Sequence, residues 1–503
     1  MKKLVCLFLF ASQLAFAQDA VPSFVKDSLD NYVTRGLADW QIPGVAVAIV
    51  KNGKVVWMKG YGEKATGSAQ PVGVHTAFMI GSNTKAFTAT ALALLQAEKK
   101  ISLNDKVQRW LPDFTLYDSY IAREANIRDL LSHRLGFDTF QGDFTFFDSD
   151  LTSQQIRTTL AKIKPALGFR QWGYCNAGYL TAGEIIPKVT GQSWAAYLKE
   201  KIFIPLQMTH TVTTVQELQG LSDKALAHTV TAGKLHTIPY CKIDNLAPAG
   251  AISSSVYDMS RWVLLQLNNG KTADRQLIPE SVIQALRQPQ AVLGNGGPRY
   301  NTGHFVLYGL GWIIEEYDGR KIVSHTGGVN GFVSSVTLLP EENLGIVILT
   351  NTDNNAFYVA LRDEIRDAFL GLPYRNYSRV LKEAVSAGEA RQAQLLQERR
   401  QEKPTQSAAN LPLQAYTGAY QHPVYGGMHI TLEKTGLVMH FQHHKTLQGQ
   451  LEPVGNHEFI CTYNASLYGV KLLPAQVKDG KVVSVTVRVA DDVETTPYVF
   501  VKQ

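Results

Sequence analysis

In residues 18–373 the strand-forming segments sit at the two ends, with helical patterns between them, and this arrangement constrains the fold more than any other feature. Val45 to Val50 and Lys54 to Met58 are β-rich and flank Lys51-Asn52-Gly53, where Asn-Gly supplies the positive φ angles of a tight hairpin. Strand patterns return at Gly309 to Ile314, Lys321 to His325, Val333 to Leu339 and Gly345 to Leu349. Ahead of the hairpin, Val25, Leu29, Tyr32, Val33 and Leu37 recur at the spacing of one helix face. A long helix is predicted from about Asn83 to Glu98, with Phe87, Ala91, Leu92 and Leu95 inward, and residues 354–370 predict a closing helix. The expected fold class is therefore α/β: a mainly antiparallel sheet flanked by helices, with a helical subdomain drawn from the middle of the chain.

Beyond Pro373 the composition changes. Residues 378–403 are charged and rich in Ala, Gln, Glu and Arg, which predicts an exposed helical connector broken by Pro404 to Asn410. From Leu411 onward come short alternating segments, including Met428 to Leu432, Leu437 to Gln442, Lys471 to Leu473, Val482 to Val489 and Pro497 to Val501. They predict an all-β module, a small barrel. The expected plan is a signal peptide at 1–17, a main domain at 18–373, a charged helical linker at 374–410 and a β domain at 411–503.

The signal peptide is read from Met1-Lys2-Lys3, the apolar run Leu4 to Ala11 and Ala15-Phe16-Ala17, which make up its charged, apolar and cleavage regions. A periplasmic or secreted location is expected. The apolar run is too short to anchor in a bilayer, and no later stretch reaches the roughly 20 apolar residues that spanning needs. Cys6 follows Val5 where lipidation would want a small residue, so a lipid anchor is not expected. The formal charge of +6 is spread without a dense basic run, which gives no support for nucleic-acid binding. Cys175, Cys241 and Cys461 then remain, too few and too odd a set for a disulfide scaffold.

Three short motifs carry chemistry. In Gly81-Ser82-Asn83-Thr84-Lys85 a serine opens a helix and a lysine follows three residues on, on the same face. A serine hydroxyl needs a neighbouring base to become a nucleophile, and a helix N-terminus offers N–H groups to a developing oxyanion. Alone, the pattern better suits a capping serine and a solvated lysine, because Ser-x-x-Lys is common by chance. In Tyr174-Cys175-Asn176 an extended backbone would turn Tyr174 and Asn176 to one side, giving a phenol that can relay a proton and an amide that can hold a carbonyl. In Ser324-His325-Thr326-Gly327-Gly328 the glycines allow close backbone approach, so the Gly328 N–H could complete an oxyanion hole while His325 and Thr326 bind polar substrate groups. A glycine-rich turn between strands is the plain alternative.

The order of these motifs resembles the serine β-lactamase, DD-peptidase and esterase superfamily, whose boxes are Ser-x-x-Lys, Tyr-x-Asn and Lys/His-x-Gly. Ile42-Pro43-Gly44-Val45, Leu103-Asn104-Asp105, Ile127 to His133, Pro248-Ala249-Gly250-Ala251 and Tyr308-Gly309-Leu310-Gly311-Trp312 resemble the same family, so the likeness spans about 24–373. It implies that Lys85 and Tyr174 deprotonate Ser82, that Asn176, His325, Thr326 and Gly327 line the substrate, and that the Ser82 and Gly328 N–H groups hold the oxyanion. An acyl-enzyme follows, with no metal or organic cofactor. His133 is implied to be a structural loop residue rather than a base. His440, His443 and His444 show no carboxylate partners or ligand spacing of a metal site.

Where dedicated β-lactamases usually carry a lysine in the third box, this chain has His325, and the His-x-Gly form is similar to D-aminopeptidases, esterases and related peptidases. The C-terminal module is similar to lipocalin-like domains that cap the site or support oligomers, which leaves a homo-oligomer open. The leading expectation is an exported serine hydrolase cleaving small peptides or amides, including those with D-residues. Carboxylesterase or weak class C-like β-lactamase activity is the alternative, and a non-catalytic sensor of penicillin or cell-wall fragments is the reading from another class.

Overall fold

The computed structural model describes residues 21–231, 233–294, 303–353, 355–401 and 411–503. The expected signal peptide, Cys6 and the Pro404 to Asn410 break lie outside the described residues.

The main sheet has eight strands: β1 (Gly44–Lys51), β2 (Lys54–Gly62), β3 (Ala291–Gly294), β4 (Val306–Tyr308), β5 (Ile313–Tyr317), β6 (Arg320–Val329), β7 (Phe332–Leu339) and β8 (Leu344–Thr350). Its order is β2-β1-β8-β7-β6-β5-β4-β3, antiparallel throughout. The two ends of the domain meet where β1 pairs with β8, Val45 opposite Thr350 and Val50 opposite Gly345. Strand alternation then sends Val45, Val47 and Ile49 to one core and Ala46, Ala48 and Val50 to the other. Helices α1 (Leu29–Asp39) and α5 (Phe357–Phe369) cover the first face. The second is covered by α2 (Thr84–Ala97) and α4 (Val256–Leu267), joined by Phe87 stacking on Trp262 at 4.2 Å. With both faces covered, every residue of β7 and β8 is buried; β8 reads as a nearly continuous apolar run, while β7 also buries Ser334, Ser335 and Thr337.

Of the strand predicted at Gly309 to Ile314, only Ile313 and Ile314 are strand residues. Between β4 and β5 the backbone turns through Gly311 at φ 76°, where a Cβ would lie 2.8 Å from the Lys85 carbonyl oxygen. Close packing on the helix that carries Lys85 overrides the strand pattern of 309–314.

After α5, helix α6 (Tyr377–Gln401) starts against the main domain, where Trp40 donates to Ser378 at 3.0 Å, and ends against the barrel through the Arg400–Glu452 ion pair. The C-terminal domain is a closed antiparallel barrel of eight strands, β9 (Gly418–His422), β10 (Gly426–Glu433), β11 (Gly436–Phe441), β12 (Gln448–Gly455), β13 (Glu458–Tyr463), β14 (Val470–Lys478), β15 (Lys481–Val487) and β16 (Tyr498–Lys502). Pairing of Tyr420 with Lys502 joins last strand to first, so no edge is left open. β9, β12 and β13 lack the clear alternation that marks the others in the sequence; β12 carries Pro453 at a register shift. Among the described residues no helix is long and apolar enough to cross a membrane, and Cys175, Cys241 and Cys461 are all buried free thiols.

Candidate active site

Ser82 occupies a single 3-10 turn, Gly81–Asn83, that runs directly into α2, so it is Asn83 rather than Ser82 that stands at the N-cap of that helix. The turn is forced against the third box. Gly81 has φ 52° and a Cβ there would lie 2.8 Å from the Gly328 nitrogen, while a Cβ on Gly327 would lie 1.9 Å from the Ile80 carbonyl oxygen. Two glycines thus let β6 run alongside the serine turn. Contrary to the expected glycine-rich end of a strand, Thr326, Gly327 and Gly328 remain within β6, and the reversal comes at Asn330-Gly331. Because β5 pairs with β6 only over Arg320–Ser324, the edge from His325 onward has no strand beside it among the described residues. Gly328 is exposed there.

Lys85 lies in the first turn of α2 with no solvent exposure. Its Nζ lies 3.0 Å from Ser82 Oγ, 2.6 Å from Asn176 Oδ1 and 2.8 Å from the Ala249 carbonyl oxygen; the last two can only accept, so as a neutral amine it donates its two N–H groups to them and turns its lone pair to the Ser82 hydroxyl. Burial pushes its pKa down to about 7, against the opposing pull of Asp143 and Cys175. The Tyr174 ring centroid is 4.8 Å from the same nitrogen. Even so, burial holds the Tyr174 phenol well above its ordinary value, so it stays protonated at neutral pH.

Asn176 opens helix α3 (Asn176–Thr190), preceded by Cys175 in extended backbone. Its amide is held at both ends: Oδ1 accepts from Lys85, and Nδ2 donates to Asp143 Oδ2 at 2.5 Å. Asp143 is buried, and burial raises its carboxyl well above the ordinary range. No motif marked Asp143 in the sequence. Its only signal is position, a carboxylate inside the aromatic run Phe140-Gln141-Gly142-Asp143-Phe144-Thr145-Phe146-Phe147.

His325 lines the same cavity with both ring nitrogens engaged. A carbonyl can only accept, so Nδ1 donates to Thr326 O at 2.6 Å and Nε2 accepts from Tyr308 Oη at 3.2 Å. Tyr308 Oη then accepts from His133 Nε2 at 3.1 Å, whose Nδ1 accepts from the Cys175 N–H at 3.1 Å. Both histidines are neutral in this chain; burial and Lys85 push His325 down to about 3 and hold His133 well below its ordinary value. The pH sensitivity that a histidine brings near neutrality is removed here. His133 is a buried strut, as its reading as a loop residue implied.

Ser82, Tyr174, Asn176, His325, Thr326 and Gly328 border one cavity of about 490 Å³. Phe140, Phe146, Ile243 and Leu246 supply apolar wall, and Leu467 reaches it from the barrel. Among the described lining residues there is no lysine or arginine. The C-terminal histidines lie elsewhere and do have carboxylate neighbours, contrary to the sequence reading: His440 is 3.2 Å from Glu433 and His443 is 2.8 Å from Asp150. These are separate pairs, while His444 stacks on Phe144 at 4.2 Å, and among the described residues no group of three or more such side chains is placed to hold a metal.

A helix-flanked antiparallel sheet with a buried lysine bonded to a serine at its edge defines a serine hydrolase of the penicillin-recognising type. The chain belongs to the beta-lactamase family, whose model matches residues 29–370, and a domain of unknown function, DUF3471, matches 402–502. It is 29% identical over 432 residues to the unguisins hydrolase ungD' of Aspergillus campestris, covering 80% of this chain and 75% of that protein. It is 28% identical over 337 residues to Protein flp of Staphylococcus aureus strain COL, covering 65% and 64% respectively. Among solved structures, the octameric penicillin-binding protein homologue from Pyrococcus abyssi superposes with a TM-score of 0.61 at 21% identity, covering 94% of this chain and 99% of that one. A D-stereospecific amidohydrolase from Streptomyces sp. superposes with a TM-score of 0.55 at 22% identity, covering 69% and 98%. At such identities these structures establish the fold alone.

Proposed function

We propose that this protein is an exported hydrolase that forms an acyl-enzyme on Ser82 and cleaves amide bonds in small, uncharged peptides, including those with D-residues. The observation that carries the chemistry is Lys85: fully buried, 3.0 Å from Ser82 Oγ and with its pKa pushed down to about 7, it is available as a free amine at neutral pH. Ser82 Oγ attacks the carbonyl carbon while its proton passes to Lys85 Nζ. The oxyanion sits at the N–H groups of Ser82 and Gly328. Tyr174, protonated and bordering the same cavity as Ser82, passes a proton to the departing amine as the C–N bond breaks, and Lys85 returns one to the phenol. Water then cleaves the Ser82 ester and restores the hydroxyl.

The apolar walls and the neutral His325 favour acyl groups without a carboxylate, and so speak against potent β-lactamase activity. The hydrolase name of the Aspergillus relative agrees with hydrolysis, and the amidohydrolase title of the Streptomyces neighbour agrees with amide cleavage. Export to the periplasm or medium is supported by the Lys2-Lys3, Leu4 to Ala11 and Ala15-Phe16-Ala17 pattern. Self-association is proposed by analogy with the octameric homologue. The test is turnover of D-amino-acid peptides, p-nitrophenyl esters and nitrocefin by wild type and Ser82→Ala, with mass spectrometry for a trapped acyl group. Peptide turnover lost in Ser82→Ala is the expected result; turnover that survives the substitution overturns the proposal.

A further inference from the structure

The barrel does more than sit beside the main domain. Its β15–β16 connection carries Glu494, which is 1% exposed and whose two carboxylate oxygens reach across the domain boundary. Oε1 accepts from the Gly142 N–H at 2.8 Å and Oε2 from the Phe144 N–H at 3.1 Å. Tyr425, on the barrel, donates to the same carboxylate at 3.0 Å. Gly142 precedes the 3-10 turn Asp143–Thr145 and has φ 94°, so Glu494 supplies from another domain the acceptor that this turn's free N–H groups need. Between those two anchored nitrogens lies Asp143, whose carboxylate holds Asn176, which in turn holds Lys85.

An apolar side chain would dock a barrel at lower desolvation cost than a buried carboxylate. What a carboxylate adds is two acceptors on a rigid fork, fixing the turn in both position and rotation. The buried charged and titratable groups around this chain of contacts are Asp143, Lys85, Tyr174 and Cys175 on the hydrolase side and Tyr425 and Tyr498 on the barrel side. Burial pushes Glu494 itself up to about 7, its N–H and hydroxyl donors opposing that rise.

We propose that Glu494 is a positioning residue of the hydrolase site: from the barrel it fixes the Gly142–Thr145 turn, and through Asp143 and Asn176 it sets the place of Lys85 beside Ser82. The inference rests on Ser82 and Lys85 acting as nucleophile and base. It makes the C-terminal domain part of the catalytic support.

The test uses full-length wild type, Glu494→Gln, Asp143→Asn and the double variant, with Ser82→Ala, on a p-nitrophenyl ester. Glu494→Gln is expected to lower kcat about tenfold while KM stays within about twofold, because the substrate cavity is intact and only the base is misplaced. In the Asp143→Asn background the same substitution should cost less than about twofold, since the link it acts through is already cut. An unchanged kcat, or an equal loss in both backgrounds, overturns the proposal. If Glu494→Gln does not fold, Tyr425→Phe decides: a reduced kcat at unchanged KM supports it, and wild-type kcat overturns it. Ser82→Ala separates the two levels. Wild-type turnover by that variant removes the nucleophile reading and the positioning role with it, whereas an inactive Ser82→Ala beside a kcat-neutral Glu494→Gln removes only the latter.

Discussion

At Lys85 two environments compete: removal from water favours the free amine, and the Asp143 carboxyl favours the ammonium. Burial wins and brings the group down to about 7. The sign of the pH dependence follows. Below that value the ammonium cannot take the Ser82 proton, so kcat/KM should climb as pH rises through about 7 and level off above it; a profile flat from about pH 5 to about pH 9 would refute Lys85 as the base. His325 adds no limb to that profile, since it is held neutral down to about 3. Replacing it changes the field instead. His325→Lys puts a cation into a cavity with no lysine or arginine among its described lining residues, and should shift the kcat/KM ratio of carboxylate-bearing to neutral substrates upward by about tenfold. An unchanged ratio on paired substrates would show that residue 325 does not face the substrate. Ser82, Lys85, Tyr174, Asn176 and His325 were legible because each belongs to a short local pattern. Asp143 and Glu494 were not, because their partners lie 33 and 350 or more residues away and only folding brings them together.

Among the elements, β6 shows what local pattern can and cannot say. From sequence its glycines suit close backbone approach or, alternatively, a turn; they are strand residues pressed on the serine turn by a backbone contact that no periodicity encodes. The two differ sharply. A Cβ on Gly327 would meet the Ile80 carbonyl oxygen at 1.9 Å, whereas one on Gly328 would meet only Val333 at 4.0 Å. Gly327→Ala should therefore cost about 1–3 kcal/mol of stability and displace the Ser82 turn, while Gly328→Ala, which keeps its N–H, should leave the melting temperature within about a degree of wild type. Equal melting temperatures for the two variants, by calorimetry, would mean that β6 does not pack on Ile80 as described. The same contrast explains the barrel. Strands such as β11 and β15, with apolar residues at alternate positions, were readable; β12, with Pro453 and a register shift, owes its place to its neighbours.

At the scale of the whole molecule the two domains share one core. Phe144, from the turn beside the hydrolase site, is fully buried among barrel aromatics: stacked on His444 at 4.2 Å and Tyr498 at 5.8 Å, and edge-on to Phe441 at 5.2 Å and Tyr468 at 5.8 Å. A side chain so enclosed contributes in proportion to the area it removes from water, with a further gain from ring geometry. Phe144→Ala should thus remove about 3–5 kcal/mol from the joint between domains while leaving each domain's own core intact. The consequence is a loss of cooperativity rather than a simple loss of stability. The wild type should melt in one transition and the variant in two, the barrel separating from the hydrolase domain before either unfolds. Ester turnover should fall with the first of them, since the Asp143 turn loses its anchor while the Ser82 turn keeps its own. A single transition in Phe144→Ala, at the wild-type temperature and with wild-type turnover, would mean that the aromatic cage is dispensable to both docking and the site.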